Sequence, residues 1–285
     1  MTFTTYESIN SFDGKMLKLS HQSPITDSKM VLNLYLPHQY FDSSHKEPLP
    51  VLLFLSGLTS TPDNISERGY IEPLASKYGF AVLLPDTSPR LDDPKFKDGD
   101  GAGFYVDATT DPWNKHFKMY SYILKDLIPS IGKEFPKLDI QRMSICGHSM
   151  GGLGALMIYL RNPNRFKSCS GIAPLTHLKE SVSGRKYMTR YLGPDDSKWS
   201  QYDPCDLIKT FDGPKTPILI HQGTNDEPYK EKHLLPESFL ASSKGTKLDG
   251  LIDLRFVDGY DHGYYFVSTF VPEQFKFHAK HLGLI

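Results

Sequence analysis

The segment Gly147-His148-Ser149-Met150-Gly151 places a serine between two glycines at G-x-S-x-G spacing. A serine so placed sits on a tight strand-to-helix turn, and glycines two residues to either side let neighbouring backbone pass close by. The bare pattern is a weak signal. Its context strengthens it, because the apolar run Met143-Ser144-Ile145-Cys146 precedes it and a helical stripe of Leu153, Leu156, Met157 and Leu160 follows. A serine hydroxyl becomes a useful nucleophile only when a base takes its proton and a third group orients that base. In this setting the chain order is serine, acid, histidine. Among the histidines after Ser149, His221 falls in a strand pattern, whereas His233, His278 and His281 fall in helical stretches, where structural roles are the simpler expectation. His262 lies in the polar turn Asp258-Gly259-Tyr260-Asp261-His262-Gly263 after the last long strand pattern, the place where catalytic groups converge in open α/β sheets.

The acid is expected at Asp226, in the turn Gly223-Thr224-Asn225-Asp226-Glu227-Pro228 after another strand pattern. Asp261, Asp258 and Glu227 are the alternatives, with Asp261 disfavoured because adjacent side chains diverge. An acyl-transfer site also needs two donors aimed at the developing oxyanion. The backbone N–H of Met150 supplies one by its position after the nucleophile, and the loop after Gly57 offers Leu58 or Thr59 for the other. The chemistry implied is attack of Ser149 on a carbonyl, with His262 shuttling the proton and water releasing the acyl enzyme. Activity should then fall on the acid side as that imidazole becomes protonated.

The elements that must hold these residues follow from apolar runs. Val51–Leu55, Phe80–Leu84, Met143–Cys146 and Pro217–Gln222 are short and nearly continuous, as strands buried on both faces of a parallel sheet are. Leu251–Val257 alternates more and suits a position nearer a sheet edge, and Val31–Leu36 alternates as an antiparallel edge strand would. Met119, Ile123, Leu127 and Ile131 recur every fourth residue and, with the stripe after Ser149, predict helices packed on that sheet. The Gly- and Asp-rich stretch from Lys95 to Gly103 is a loop long enough to be functional. The expectation is a mixed α/β fold, mostly parallel, with antiparallel N-terminal edge strands, helices on both faces, and a single domain over residues 1–285.

Composition narrows the function classes. Of 285 residues, 32 are basic and 33 acidic, a formal net charge of −1. No global field draws such a chain to nucleic acid or to an anionic membrane. Three cysteines, Cys146, Cys169 and Cys205, lack C-x-x-C spacing and are too few for a disulfide framework, which fits a reducing compartment without a zinc motif. The N-terminus lacks the basic and apolar regions of a secretory signal, no run reaches membrane-spanning length, and the C-terminal Leu-Gly-Leu-Ile is not a peroxisomal address. A cytoplasmic protein is expected.

Further segments make a specific resemblance. Leu55-Ser56-Gly57-Leu58-Thr59, Pro85-Asp86-Thr87-Ser88-Pro89-Arg90, Gly101-Ala102-Gly103-Phe104-Tyr105, Met119-Tyr120-Ser121-Tyr122, Gly147 to Gly152, Tyr191-Leu192-Gly193 and Tyr260-Asp261-His262-Gly263-Tyr264-Tyr265-Phe266 run in order over almost the whole chain. Together they resemble the S-formylglutathione hydrolases, the esterase D family of α/β-hydrolases. The resemblance implies an α/β-hydrolase fold and a cofactor-free, metal-free cytoplasmic serine thioesterase, commonly dimeric, that hydrolyses S-formylglutathione to glutathione and formate in formaldehyde detoxification, with side carboxylesterase activity. An esterase or acyltransferase for another small acyl donor is the alternative. It also implies Ser149, Asp226 and His262 as the triad and Leu58 and Met150 as the oxyanion hole.

The chain departs from the family pattern at Ser60, where a cysteine is common, and at Phe96–Asp100 and Val182–Lys186, where tryptophan-bearing segments are usual. It departs again at Gly263, where serine is frequent after the histidine. These departures bear on substrate preference more than on chemistry. Because glutathione carries two carboxylates, Arg185 and Lys186 in the divergent segment are the candidate substrate contacts.

Overall fold

The computed structural model describes residues 2–285. Its centre is a nine-stranded sheet in the order β1-β2-β3-β5-β4-β6-β7-β8-β9. The strands are β1 (Thr4–Ser11), β2 (Gly14–Ser23), β3 (Ser28–Leu36), β4 (Leu49–Leu55), β5 (Ala81–Pro85), β6 (Leu138–His148), β7 (Cys169–Ile172), β8 (Ile218–Gly223) and β9 (Ile252–Val257). From β5 to β9 every pairing is parallel, while β1, β2 and β3 pair antiparallel with one another and β3 with β5. Every residue of β4, β5 and β8 is buried, which explains their unbroken apolar runs: helices cover both faces of a parallel sheet and leave no solvated side to alternate towards. β9 closes one edge and keeps exposed positions.

Antiparallel N-terminal strands are expected from the sequence, but with residues assigned only to β3, and the two strands outside it are β1 and β2. Their hairpin turns through Phe12 and Asp13, both with positive φ (47° and 59°), with Ser11 paired to Gly14. That is the left-handed pair a two-residue hairpin needs, and the Asp-Gly signal that usually occupies it stands one residue later here, at Asp13-Gly14. The four-residue β7, Cys-Ser-Gly-Ile, was also too short and polar to announce itself.

Helix Met150–Arg161 follows the serine and is buried from Met150 to Leu160, so it serves as an internal prop rather than a surface layer. The helical stretch from Met119 to Glu134 widens to π-type turns over Tyr122–Leu127. Pro129 lies just beyond and has no N–H to give the Lys125 carbonyl, a break that wider turns absorb. The four-residue recurrence of buried Met119, Ile123, Leu127 and Ile131 matches this looser winding better than a strict 3.6-residue period. One continuous cluster of buried apolar side chains extends from Phe3 to Leu282.

Candidate active site

The loops that leave the carboxyl ends of β4, β6, β8 and β9 meet at one place. After β6 the chain turns at Ser149, whose φ of 58° and ψ of −120° lie in a region that residues with a Cβ seldom occupy. The turn is held by a hydrogen bond from the Ser149 N–H to the Ile172 carbonyl at the end of β7 (2.9 Å). The flanking glycines are steric necessities. A Cβ on Gly147 would stand 2.2 Å from the Gly151 carbonyl oxygen, and one on Gly151 would stand 1.9 Å from that of Leu55.

Ser149 Oγ lies 2.8 Å from His262 Nε2, and His262 Nδ1 lies 2.6 Å from Asp226 Oδ2. With the imidazole proton on Nδ1, that nitrogen donates to the carboxylate and Nε2 is left to accept from the hydroxyl. Asp226 is fully buried. It also accepts from the Tyr229 N–H (3.0 Å) and from Gln222 Nε2 (3.0 Å), so the carboxylate is fixed on three sides. Of the rival acids, Asp261 accepts from the Gly263 N–H (2.9 Å) and Asp258 from the Thr224 hydroxyl (3.0 Å). Neither is the partner of His262.

These groups open into a cavity of about 460 Å³ whose wall includes Leu58, Ser149, Met150 and His262. Met150 is the first residue of its helix, where a backbone N–H has no intrahelical acceptor. On the facing loop, Thr59 has φ 65° and donates its N–H to the Gly101 carbonyl (2.8 Å). The Ser60 carbonyl accepts from the Thr87 hydroxyl (2.6 Å) and from Arg90 (3.0 Å). Arg90 grips Asp86 through Nε (2.8 Å) and Nη2 (2.9 Å). Burial pushes the Asp86 carboxyl above the usual aspartate range, and the guanidinium only partly offsets that. The loop from Lys95 to Gly103 is thus a buttress: Gly101 presses on Thr59, with its own N–H bonded to Ser88 Oγ (2.8 Å).

Arg185 and Lys186, the expected substrate contacts, are not in the wall of this cavity. They lie on helix Val182–Leu192, where Arg185 turns back to the Lys179 carbonyl (2.7 Å) and Lys186 lies over the Tyr187 ring. Of the divergent positions, only Ser60 and Ser183 reach the wall. Phe96 is buried against Trp113 and Phe117, and Gly263 caps helix Tyr264–His281.

Wall residues that sequence reasoning missed are His148, Ser183, Glu231 and His233. His148 had a signal, since the residue before an elbow serine ends its strand at the site. It is buried beside His262, with ring centroids 4.8 Å apart, and burial first, then the neighbouring imidazole, hold it well below the ordinary histidine range. His233 lies in a turn rather than the expected helix. Away from this wall, His177, Asp203 and Cys205 bring potential ligand atoms within 4.8 Å of one another. Asp203 there accepts from the backbone N–H groups of Lys179 and Cys205, and the Cys205 thiol donates to the Thr176 carbonyl. Among the described residues no helix is long and apolar enough to cross a membrane.

Residues 23–278 match the family model described as a putative esterase. The chain is 44% identical to the S-formylglutathione hydrolase of Saccharomyces cerevisiae over 95% of this chain and 96% of that protein. It is 40% identical to that of Arabidopsis thaliana over 97% of each. The chain belongs to the S-formylglutathione hydrolase family of esterases. A solved S-formylglutathione hydrolase from Agrobacterium tumefaciens superposes with a TM-score of 0.91 at 42% identity, covering 98% of this chain and 99% of that one. The mostly parallel sheet with antiparallel N-terminal strands is therefore the α/β-hydrolase fold of this family.

Proposed function

We propose that this chain hydrolyses S-formylglutathione to glutathione and formate through an acyl-enzyme, with Ser149 as nucleophile, His262 as general base and acid, and Asp226 as the orienting carboxylate. The observation that carries the mechanism is the unbroken hydrogen-bonded series from Ser149 Oγ through His262 to buried Asp226, opening into the cavity. His262 takes the serine proton as Oγ attacks the thioester carbonyl. The imidazolium that forms is stabilised by Asp226, and the backbone N–H groups of Leu58 and Met150 receive the oxyanion. A thiolate leaves readily, so little acid assistance is needed in the first half, and water attacks the formyl-serine in the second with His262 as base.

Steady-state comparison of S-formylglutathione with p-nitrophenyl acetate tests this. The thioester should be clearly preferred in kcat/KM, and equal or reversed preference would favour an esterase for another acyl donor. The near-zero net charge supports a small-molecule partner rather than nucleic acid or a membrane surface, and three free, buried cysteines suit a reducing, cytoplasmic setting. One sheet and one core cluster support a single domain over residues 1–285. A homodimer, as the family resemblance implies, would show as twice the 32.3 kDa chain mass in light scattering.

A further inference from the structure

Among the described residues, the wall of the cavity around Ser149 holds no lysine or arginine, and its one carboxylate belongs to Glu231. This is unexpected for a site whose thiol leaving group carries two carboxylates. Glutathione also carries one cation, the α-ammonium of its γ-glutamyl end, and the wall suits that group.

Glu231 does not stand alone. Its Oε2 lies 3.5 Å from His233 Nε2, and His233 Nδ1 lies 2.5 Å from Ser183 Oγ. With the Ser183 hydroxyl donating to Nδ1, the ring turns its Nε2–H towards the side on which the carboxylate lies, near it but not hydrogen-bonded to it. The backbone beneath is fixed as well. The His233 carbonyl accepts from the Ser181 hydroxyl (2.7 Å), and the His233 N–H donates to the Pro228 carbonyl (2.8 Å). Lys232 and Leu235 both hold left-handed backbone, with φ of 61° and 59°. Non-glycine residues seldom adopt that conformation, so two such residues around His233 indicate a segment held in a demanding shape by its surroundings. The Glu231 side chain remains 59% exposed at the cavity mouth, where it can meet a charged group without prior desolvation of the carboxylate.

We propose that Glu231, beside the Ser183–His233 pair, binds the α-ammonium of the γ-glutamyl end and sets the preference for glutathione thioesters. The two substrate carboxylates then face solvent at the mouth. This rests on the thioesterase reading above.

The test compares wild type and Glu231→Gln on S-formylglutathione and on the same thioester with its γ-glutamyl nitrogen acetylated. With S-formylglutathione, the substitution should raise KM about fivefold, the scale of one partly exposed charge pair, with kcat changed less than twofold. Acetylation should cost the wild type a similar factor, and the Glu231→Gln penalty should vanish on the acetylated substrate. Glu231→Asp should recover part of the loss. Equal penalties on both thioesters, or none on either, would overturn the proposal. A wild type without thioester preference would instead overturn the hydrolase reading first.

Discussion

The floor and the outer wall of this cavity are built on different principles. At the floor, Ser149, His262 and Asp226 hang from the ends of β6, β9 and β8, and the sheet register fixes their separation to hydrogen-bond length. Burial, a left-handed serine and two glycines without room for a methyl leave no alternative arrangement. The wall joins two segments about 50 residues apart through side chains near solvent, with Ser183 on one and His233 on the other. The reacting groups sit on short turns fixed directly at strand ends, while the outer wall pairs a helix residue, Ser183, with His233 in a bend.

The sharpest break is at the floor. Ser149→Ala should lower kcat by about 10⁴-fold or more, since removing a triad nucleophile leaves only binding and oxyanion stabilisation. Steady-state turnover of the thioester checks this, and the unfolding midpoint should scarcely move.

The oxyanion loop tests whether the floor extends to its buttress. Arg90→Ala strands Asp86, which is 2% exposed, and removes a donor from the Ser60 carbonyl. Breaking one side of a buried pair costs about 3 kcal/mol, to be read from urea unfolding, and kcat should fall about tenfold as the loop relaxes.

Beneath the floor, His278 accepts or donates at both nitrogens with Ser168 and Ser170 (2.8 and 2.7 Å), tying the last helix to β7. Burial pushes its pKa down to about 3. The unfolded chain, with an imidazole near 6.5, takes up that proton first, so stability present above pH 6.5 is lost as pH falls towards 3. Between pH 7 and 5 this one residue should contribute a loss of about 2 kcal/mol. His278→Gln should be less stable at pH 7 but have a correspondingly flatter profile, and an unchanged slope would contradict the assignment.

The smallest effect belongs outside the cavity, on the helix that carries Ser183. Arg185→Ala combined with Lys186→Ala should alter KM for the thioester less than twofold, because neither side chain lines the cavity. A large rise would mean that the helix Val182–Leu192 swings its basic residues inward when substrate binds.

This contrast also explains what the sequence disclosed. The meeting of Ser149, His262 and Asp226 was legible because the elbow, the acid turn and the histidine turn each follow a strand run, and strand ends in a parallel sheet converge. The β1–β2 hairpin was missed although Asp13-Gly14 signals a turn, because the exposed β1 beside it has no apolar run to mark a strand, and β7 because four residues make no period. Arg185 and Lys186 were chosen on charge within a divergent segment. The helix instead presents Ser183 to the cavity and sends Arg185 to the Lys179 carbonyl. No local pattern could pair Ser183 with His233, since their contact exists only after the chain folds.

The most direct test of the central claim is covalent. Reaction with a fluorophosphonate, followed by peptide mapping, should place one adduct on Ser149 with loss of thioesterase activity in proportion to labelling. Labelling at another residue, or full activity retained by a Ser149-modified enzyme, would contradict the account.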